Sequence, residues 1–170
     1  MKRLLKKLFG KKKTHFYPTD VWSEIAEKYD IKRKLREQAM SYFREGTLGS
    51  GIIIYGEIYG AGIQKNYDYG LKDIEFAGFD FVIDGKYEGV MYTKYLLDLM
   101  KLPHVPILYV GPWSQETQDK FVFNNNIEGT KVPHEGIVIK HVSGERNKVA
   151  KVINPDYLIY GEKHNVGDSH

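Results

Sequence analysis

IIIYGEIYGAGIQ, from Ile52 to Gln64, sets a carboxylate inside a run of β-branched residues. Ile52, Ile53, Ile54 and Ile58 have the composition of a buried sheet strand. Glu57 interrupts that run, flanked by Gly56 and by Tyr55 and Tyr59. A strand has period two, so Tyr55, Glu57 and Tyr59 share one face and Ile54, Gly56 and Ile58 the other. The first face offers one carboxylate between two aromatic rings, and small neighbours let a ligand approach the backbone. A carboxylate in an apolar strand costs several kcal/mol unless it is paired, hydrogen-bonded or bound to a ligand. The plainer reading of the same residues is a half-exposed hairpin strand with a solvated glutamate.

Three further stretches follow: FAGFDFVIDGKY (Phe76 to Tyr87), HEGIVIKHV (His134 to Val142) and VAKVINPDYL (Val149 to Leu158). Each is a short apolar strand with charged residues at its edge, namely Asp80, then Glu135 and Lys140, then Lys151. In this order the four stretches resemble the nucleotidyl-transfer motifs of the ATP-dependent RNA ligases of the RNA ligase 2-like and deinococcal-type groups. YGEIYG resembles motif III, FAGFDF motif IIIa, EGIVIK motif IV and KVINPDYL motif V. The segment VWSEIAEKYDIKRKL is similar to one those ligases carry before motif III. The resemblance covers roughly residues 20 to 160.

The family's nucleophile is a lysine in a KxxG motif upstream of motif III, whose amine attacks the α-phosphate of ATP to give lysyl-AMP. Only Lys7-Leu-Phe-Gly10 and Lys86-Tyr-Glu-Gly89 match that spacing. Lys86 follows motif IIIa, the wrong order for a nucleophile. Lys7 lies in a basic run, with Lys11, Lys12 and Lys13 after its glycine where the family has small polar residues. The resemblance therefore implies an amino-terminally truncated ligase adenylation core, with the lysine supplied by a companion chain. The alternative is a non-catalytic nucleotide- or RNA-binding module, or an inactive gene fragment.

The length of 170 residues suits one domain, and 42% hydrophobic with 28% charged residues is a globular composition. The absence of cysteine excludes disulfides, zinc–cysteine sites and cysteine nucleophiles, and fits a reducing, cytoplasmic setting. Residues 1–13 hold seven of the 25 basic residues and no acid, which leaves 18 basic against 22 acidic residues elsewhere, about −4. Residues 1–19 read as a basic tail: solvated, in contact with RNA, or lying on a membrane surface through Leu4, Leu5, Leu8 and Phe9. Its apolar residues are too few for a signal peptide or stable membrane insertion.

Thr19 or Asp20 is a plausible N-cap for a surface helix on which Val21, Ile25, Tyr29 and Leu35 recur at helical spacing. Gly46, Gly49 and Gly51 mark a loop, and Asp84-Gly85 a hairpin turn between FDFVI and KYEGVMY. Tyr92 to Leu102 reads as a helix stopped by Pro103, VPILYVG (Val105 to Gly111) as a strand, and Gln115 to Gly129 as helix or loop. Residues 161–170 read as a polar tail. The whole is α+β with antiparallel strands, and the resemblance implies the antiparallel-sheet nucleotidyltransferase fold.

The resemblance also assigns residues. Glu57 is similar to the acid that engages the nucleotide sugar, and Phe79 to the aromatic that stacks on adenine; Phe79 equally suits a core. Asp80 either serves the nucleotide or ends its strand. Glu135 is similar to the acid near a catalytic Mg²⁺, a hard ion that favours oxygen ligands. Lys140 and Lys151 would bring point charges to the phosphates. Motif V often carries a second lysine two residues before the first, where this chain has Val149. His134 reads as a surface histidine or a neighbour of the site, and no histidine spacing suits zinc. ATP, Mg²⁺ and RNA ends are the implied ligands, and Glu57, Phe79, Glu135, Lys140 and Lys151 are expected in one pocket.

Overall fold

The computed structural model describes residues 21–46, 49, 51–123 and 125–168. The basic tail, Lys7, and the N-cap at Thr19 or Asp20 lie outside the described residues. The chain forms two compact units. One takes the described residues up to Ile58 with Glu75–Val105 and His141–Asn147; the other takes Tyr59–Ile74, Pro106–Lys140 and the described residues from Lys148.

The first unit opens with two helices, α1 (Val21–Lys28) and α2 (Ile31–Arg44), in place of one continuous helix. The break falls at Asp30, whose backbone is left-handed at φ 50°, a conformation no helix interior accepts. Ile25, Ile31, Leu35 and Ala39 form the buried stripe. Strand β1 (Ile52–Gly60) alternates buried and half-buried residues along its whole length, so Glu57 sits within an unbroken strand. It neighbours β3 (Ile74–Ile83), which pairs antiparallel with the short β4 (Lys86–Tyr87). The intervening turn is the expected Asp84-Gly85, with both residues at positive φ as a tight hairpin requires. The Asp84 carboxylate also accepts from the Gly49 and Gly51 amides at 2.8 and 3.0 Å. A Cβ on Gly56 would lie 2.1 Å from the Phe76 ring, so this glycine is what lets the ring cover the strand. Phe76 and Phe81 are fully buried, each contributing about 2–3 kcal/mol.

Beyond β4 the expected strand KYEGVMY turns into helix. Gly89 is the N-cap of α3 (Val90–Leu99), which ends at Met100, three residues before Pro103. Lys101 is left-handed at φ 51°, so the helix stops on backbone geometry before proline acts.

In the second unit, β2 (Gln64–Lys65) pairs antiparallel with β7 (Gly167–Asp168). VPILYVG forms no strand; Leu108, Tyr109 and Val110 are about half exposed and lack a pairing neighbour to hold them in a ladder. Helix α4 (Gln115–Val122) starts on the Ser114 side chain, which accepts from the Thr117 amide. Strands β5 (Gly136–Lys140) and β6 (Val149–Ile153) form an antiparallel ribbon. Residues 161–164 are not tail but the end of α5 (Pro155–His164), capped by left-handed Asn165, after which β7 returns to β2. The start signal was local: Asn154 caps the helix and Pro155 takes its first turn. The architecture is α+β with antiparallel sheets.

Candidate nucleotide and phosphate site

The β5–β6 register pairs Val138 with Lys151 and Lys140 with Val149. Directly paired residues point to one side of a ribbon, so Lys140 and Lys151 share a face, and Val149 stands where a second motif V lysine would project. That face is open: Val138 is 56% exposed and Ile153 37%. Two lysines therefore project from one open face of the ribbon, and one of them, Lys151, is ion-paired with Glu135 at 3.0 Å.

Glu135 stands just before β5 and is fixed from three directions. Its Oε2 accepts from Lys151 Nζ at 3.0 Å, and its Oε1 from Gln64 Nε2 and Tyr69 OH, each at 3.1 Å. Burial works against the charged carboxylate, yet the donors, Lys151 foremost, outweigh it and hold the group below the usual carboxylate range. The following Gly136 has φ +145°, and a Cβ there would lie 2.0 Å from the Val152 carbonyl oxygen. Glycine after the glutamate is therefore a steric demand of the ribbon edge.

Asn154, fully buried, holds the other side of this segment. Its amide group donates to the His134 carbonyl at 3.1 Å, its backbone N–H to the Glu135 carbonyl at 2.8 Å, and its side-chain oxygen caps α5. His134 thus joins the site through its backbone, while burial lowers the pKa of its imidazole.

In the first unit, Glu57 lies half-buried on the β1 face with Tyr55, and Phe79 is half-buried in β3. Asp80 does not end its strand. It is 1% exposed and lies inside β3, where it accepts from Arg146 Nη1 at 3.0 Å. The Arg146 guanidinium lies 5.6 Å from the centre of the Tyr87 ring, and Tyr87 stacks on Tyr55 at 5.8 Å. A carboxylate so buried is held by its arginine, whose removal would leave an uncompensated buried charge.

Each unit therefore holds part of the expected set: Glu57, Phe79 and Asp80 in one, Glu135, Lys140 and Lys151 in the other. Gln64, Tyr69, Arg146 and Asn154 were not singled out from sequence. Gln64 and Asn154 lie inside the quoted motif stretches; Tyr69 and Arg146 carry no local signal. Among the described residues no group of three or more histidine, aspartate or glutamate side chains is placed to hold a metal. Glu135 is a hard-oxygen donor of the kind Mg²⁺ takes singly when phosphates and water complete its shell. Among the described residues no helix is long and apolar enough to cross a membrane.

A family model described as RNA ligase matches residues 4–153. The fold is similar to that of the RNA ligase of Naegleria gruberi. A mutant of that ligase with AMP and Mn gives a TM-score of 0.67 at 22% identity over 89% of this chain and 43% of that one. A mutant with ATP and Mn gives the same TM-score and coverage, and the ligase with PPi gives 0.62 at 20% identity over 89% and 42%. The chain thus spans less than half the length of these ligase chains. No curated protein matches it.

Proposed function

The chain belongs to the RNA ligase family, and from that premise we propose that it carries the nucleotide-handling part of RNA strand joining, of the kind RNA repair requires. It binds ATP or AMP for adenylyl transfer to RNA 5′-phosphate ends. The observation that carries this reading is the open ribbon face with Lys140 and Lys151, the latter held on Glu135 at 3.0 Å. Lys140 and Lys151 neutralise phosphate oxygens as negative charge builds on the departing group. Glu57 accepts from a ribose hydroxyl and Phe79 lies against the base. Asp80 contributes by anchoring Arg146. Glu135 would hold the divalent ion, Mg²⁺ or Mn²⁺; bound there, such an ion offsets charge on the phosphates.

The attacking lysine comes from a companion polypeptide. Its amine displaces pyrophosphate from ATP to give lysyl-AMP; an RNA 5′-phosphate then takes the AMP and frees the amine; a 3′-hydroxyl finally displaces AMP as the strands join. Among the described residues the KxxG lysine is Lys86, exposed in the short hairpin strand β4 and placed after motif IIIa rather than upstream of motif III. That same observation favours the second reading, a nucleotide- or RNA-binding module without turnover.

Incubation with α-labelled ATP and Mg²⁺, followed by a denaturing gel, decides between them. The chain alone should form no covalent adduct. Addition of a polypeptide bearing the KxxG strand should yield labelled companion in the split-enzyme reading, and none in the binding-module reading. A label on this chain that is lost in Lys7→Ala would overturn both.

A further inference from the structure

Two local irregularities of the second unit end on the same atom, Oε1 of Glu135. Gln64 must turn its amide nitrogen to the carboxylate, because a carboxylate only accepts. Its own Oε1 is then left buried with no donor among the described residues. Such an orphan costs about 1–3 kcal/mol, and packing alone would favour an apolar side chain there. Tyr69 is left-handed at φ 58°, an uncommon state for a residue with a bulky side chain. Its ring is set edge-on to Tyr59 and Tyr67 at 5.3 and 4.6 Å. The Tyr67 hydroxyl donates to the Pro133 carbonyl at 2.8 Å, two residues before Glu135. Both irregularities are unfavourable for folding, and both deliver a proton donor to one carboxylate oxygen.

We propose that Gln64 and Tyr69 are positioning residues that lock the Glu135 carboxylate, so that Oε2 stays on Lys151 and the ammonium is presented on the ribbon face beside Lys140. The inference deepens the ligase reading and rests on it for its meaning, though not for its test. With either donor removed, Oε1 keeps a single hydrogen bond, so the carboxylate is held less firmly and the partner of Lys151 is loosened.

The test compares wild type with Tyr69→Phe and Gln64→Met, each close in shape to the native side chain. The first readout needs no nucleotide: the rate at which Lys151, 37% exposed at its side chain, is acylated by an amine-reactive ester, scored by peptide mass spectrometry against exposed Lys163 on α5. Both variants should label Lys151 about three- to tenfold faster, the range of a typical net hydrogen bond. Thermal melts run in parallel. Tyr69→Phe should melt slightly below wild type, by the one hydrogen bond lost, and Gln64→Met closer to wild type, since its lost donor is offset by removal of the orphan oxygen. Unchanged Lys151 labelling in both variants overturns the proposal, as does labelling that rises equally at Lys163. Titration with ATP and Mn²⁺ then tests the ligase reading separately. Wild type that binds no nucleotide sinks that reading and leaves the labelling result standing; weaker binding in both variants joins the two.

Discussion

Asn154 shows how much one side chain can carry. Its carbonyl caps α5, its amide holds the His134 carbonyl, and it is fully buried. Asn154→Ala should lower stability by about 2–3 kcal/mol, from one cap and one buried acceptor left without its donor. Asn154→Asp keeps the cap but turns an oxygen toward the His134 carbonyl, so it should lose no less; denaturant unfolding of both variants checks this. Glu75 sets a pH dependence. Hydrogen bonds from Lys28 at 2.8 Å and from Tyr29 hold its carboxyl below the usual range. A carboxyl lowered on folding stabilises fully above its unfolded value, about 4.3, and the contribution fades as pH falls through the folded value. Stability should begin to drop as pH falls below the unfolded value, and the drop should be shallower in Glu75→Gln. An equal slope in the variant would assign the acid response elsewhere. Both residues act through partners that no spacing rule announces.

At the scale of elements, the β5–β6 ribbon is where local chemistry and site geometry meet. Gly136→Ala forces a Cβ to 2.0 Å from the Val152 oxygen at φ +145°, so the edge of β5 must move and Glu135 with it. A loss of roughly 1–3 kcal/mol is expected, accompanied by weaker binding of ATP with Mn²⁺. A variant that binds as wild type would separate Gly136 from the site. The ribbon's two strands were legible because apolar β-branched runs report strands directly. VPILYVG has the same composition, yet it forms no ladder, because composition cannot supply a pairing neighbour. The single helix expected at Val21–Leu35 failed for a related reason. Helical spacing continued through Tyr29, while the left-handed backbone of Asp30 split the run in two.

For the molecule as a whole, the split-enzyme reading makes a prediction about company. A companion polypeptide that carries the KxxG strand and binds only the folded chain must raise its melting temperature by mass action. Co-expression should show that rise, growing with companion concentration. A melting temperature indifferent to the companion would favour a self-contained binding module. The two units also show why the chain cannot be cut at one boundary: His141–Asn147 belongs to one unit, while the strands on either side of it, β5 and β6, lie in the other.

The sequence by itself determined the α+β class, the four motif strands in their order, the Asp84-Gly85 hairpin and the alternation that sets Glu57 apart from Ile54 and Ile58. Each is a property of neighbouring residues, where period, turn chemistry and branching act within a few positions. Only the tertiary structure decided that Glu135 is held by Gln64, 71 residues away, and by Tyr69, 66 away, and that Asp80 is bound to Arg146 across 66 residues. A hydrogen bond of 3 Å depends on where two distant backbones come to rest. Periodicity names the face a side chain takes, but the partner waiting there is set by the packing of the whole unit.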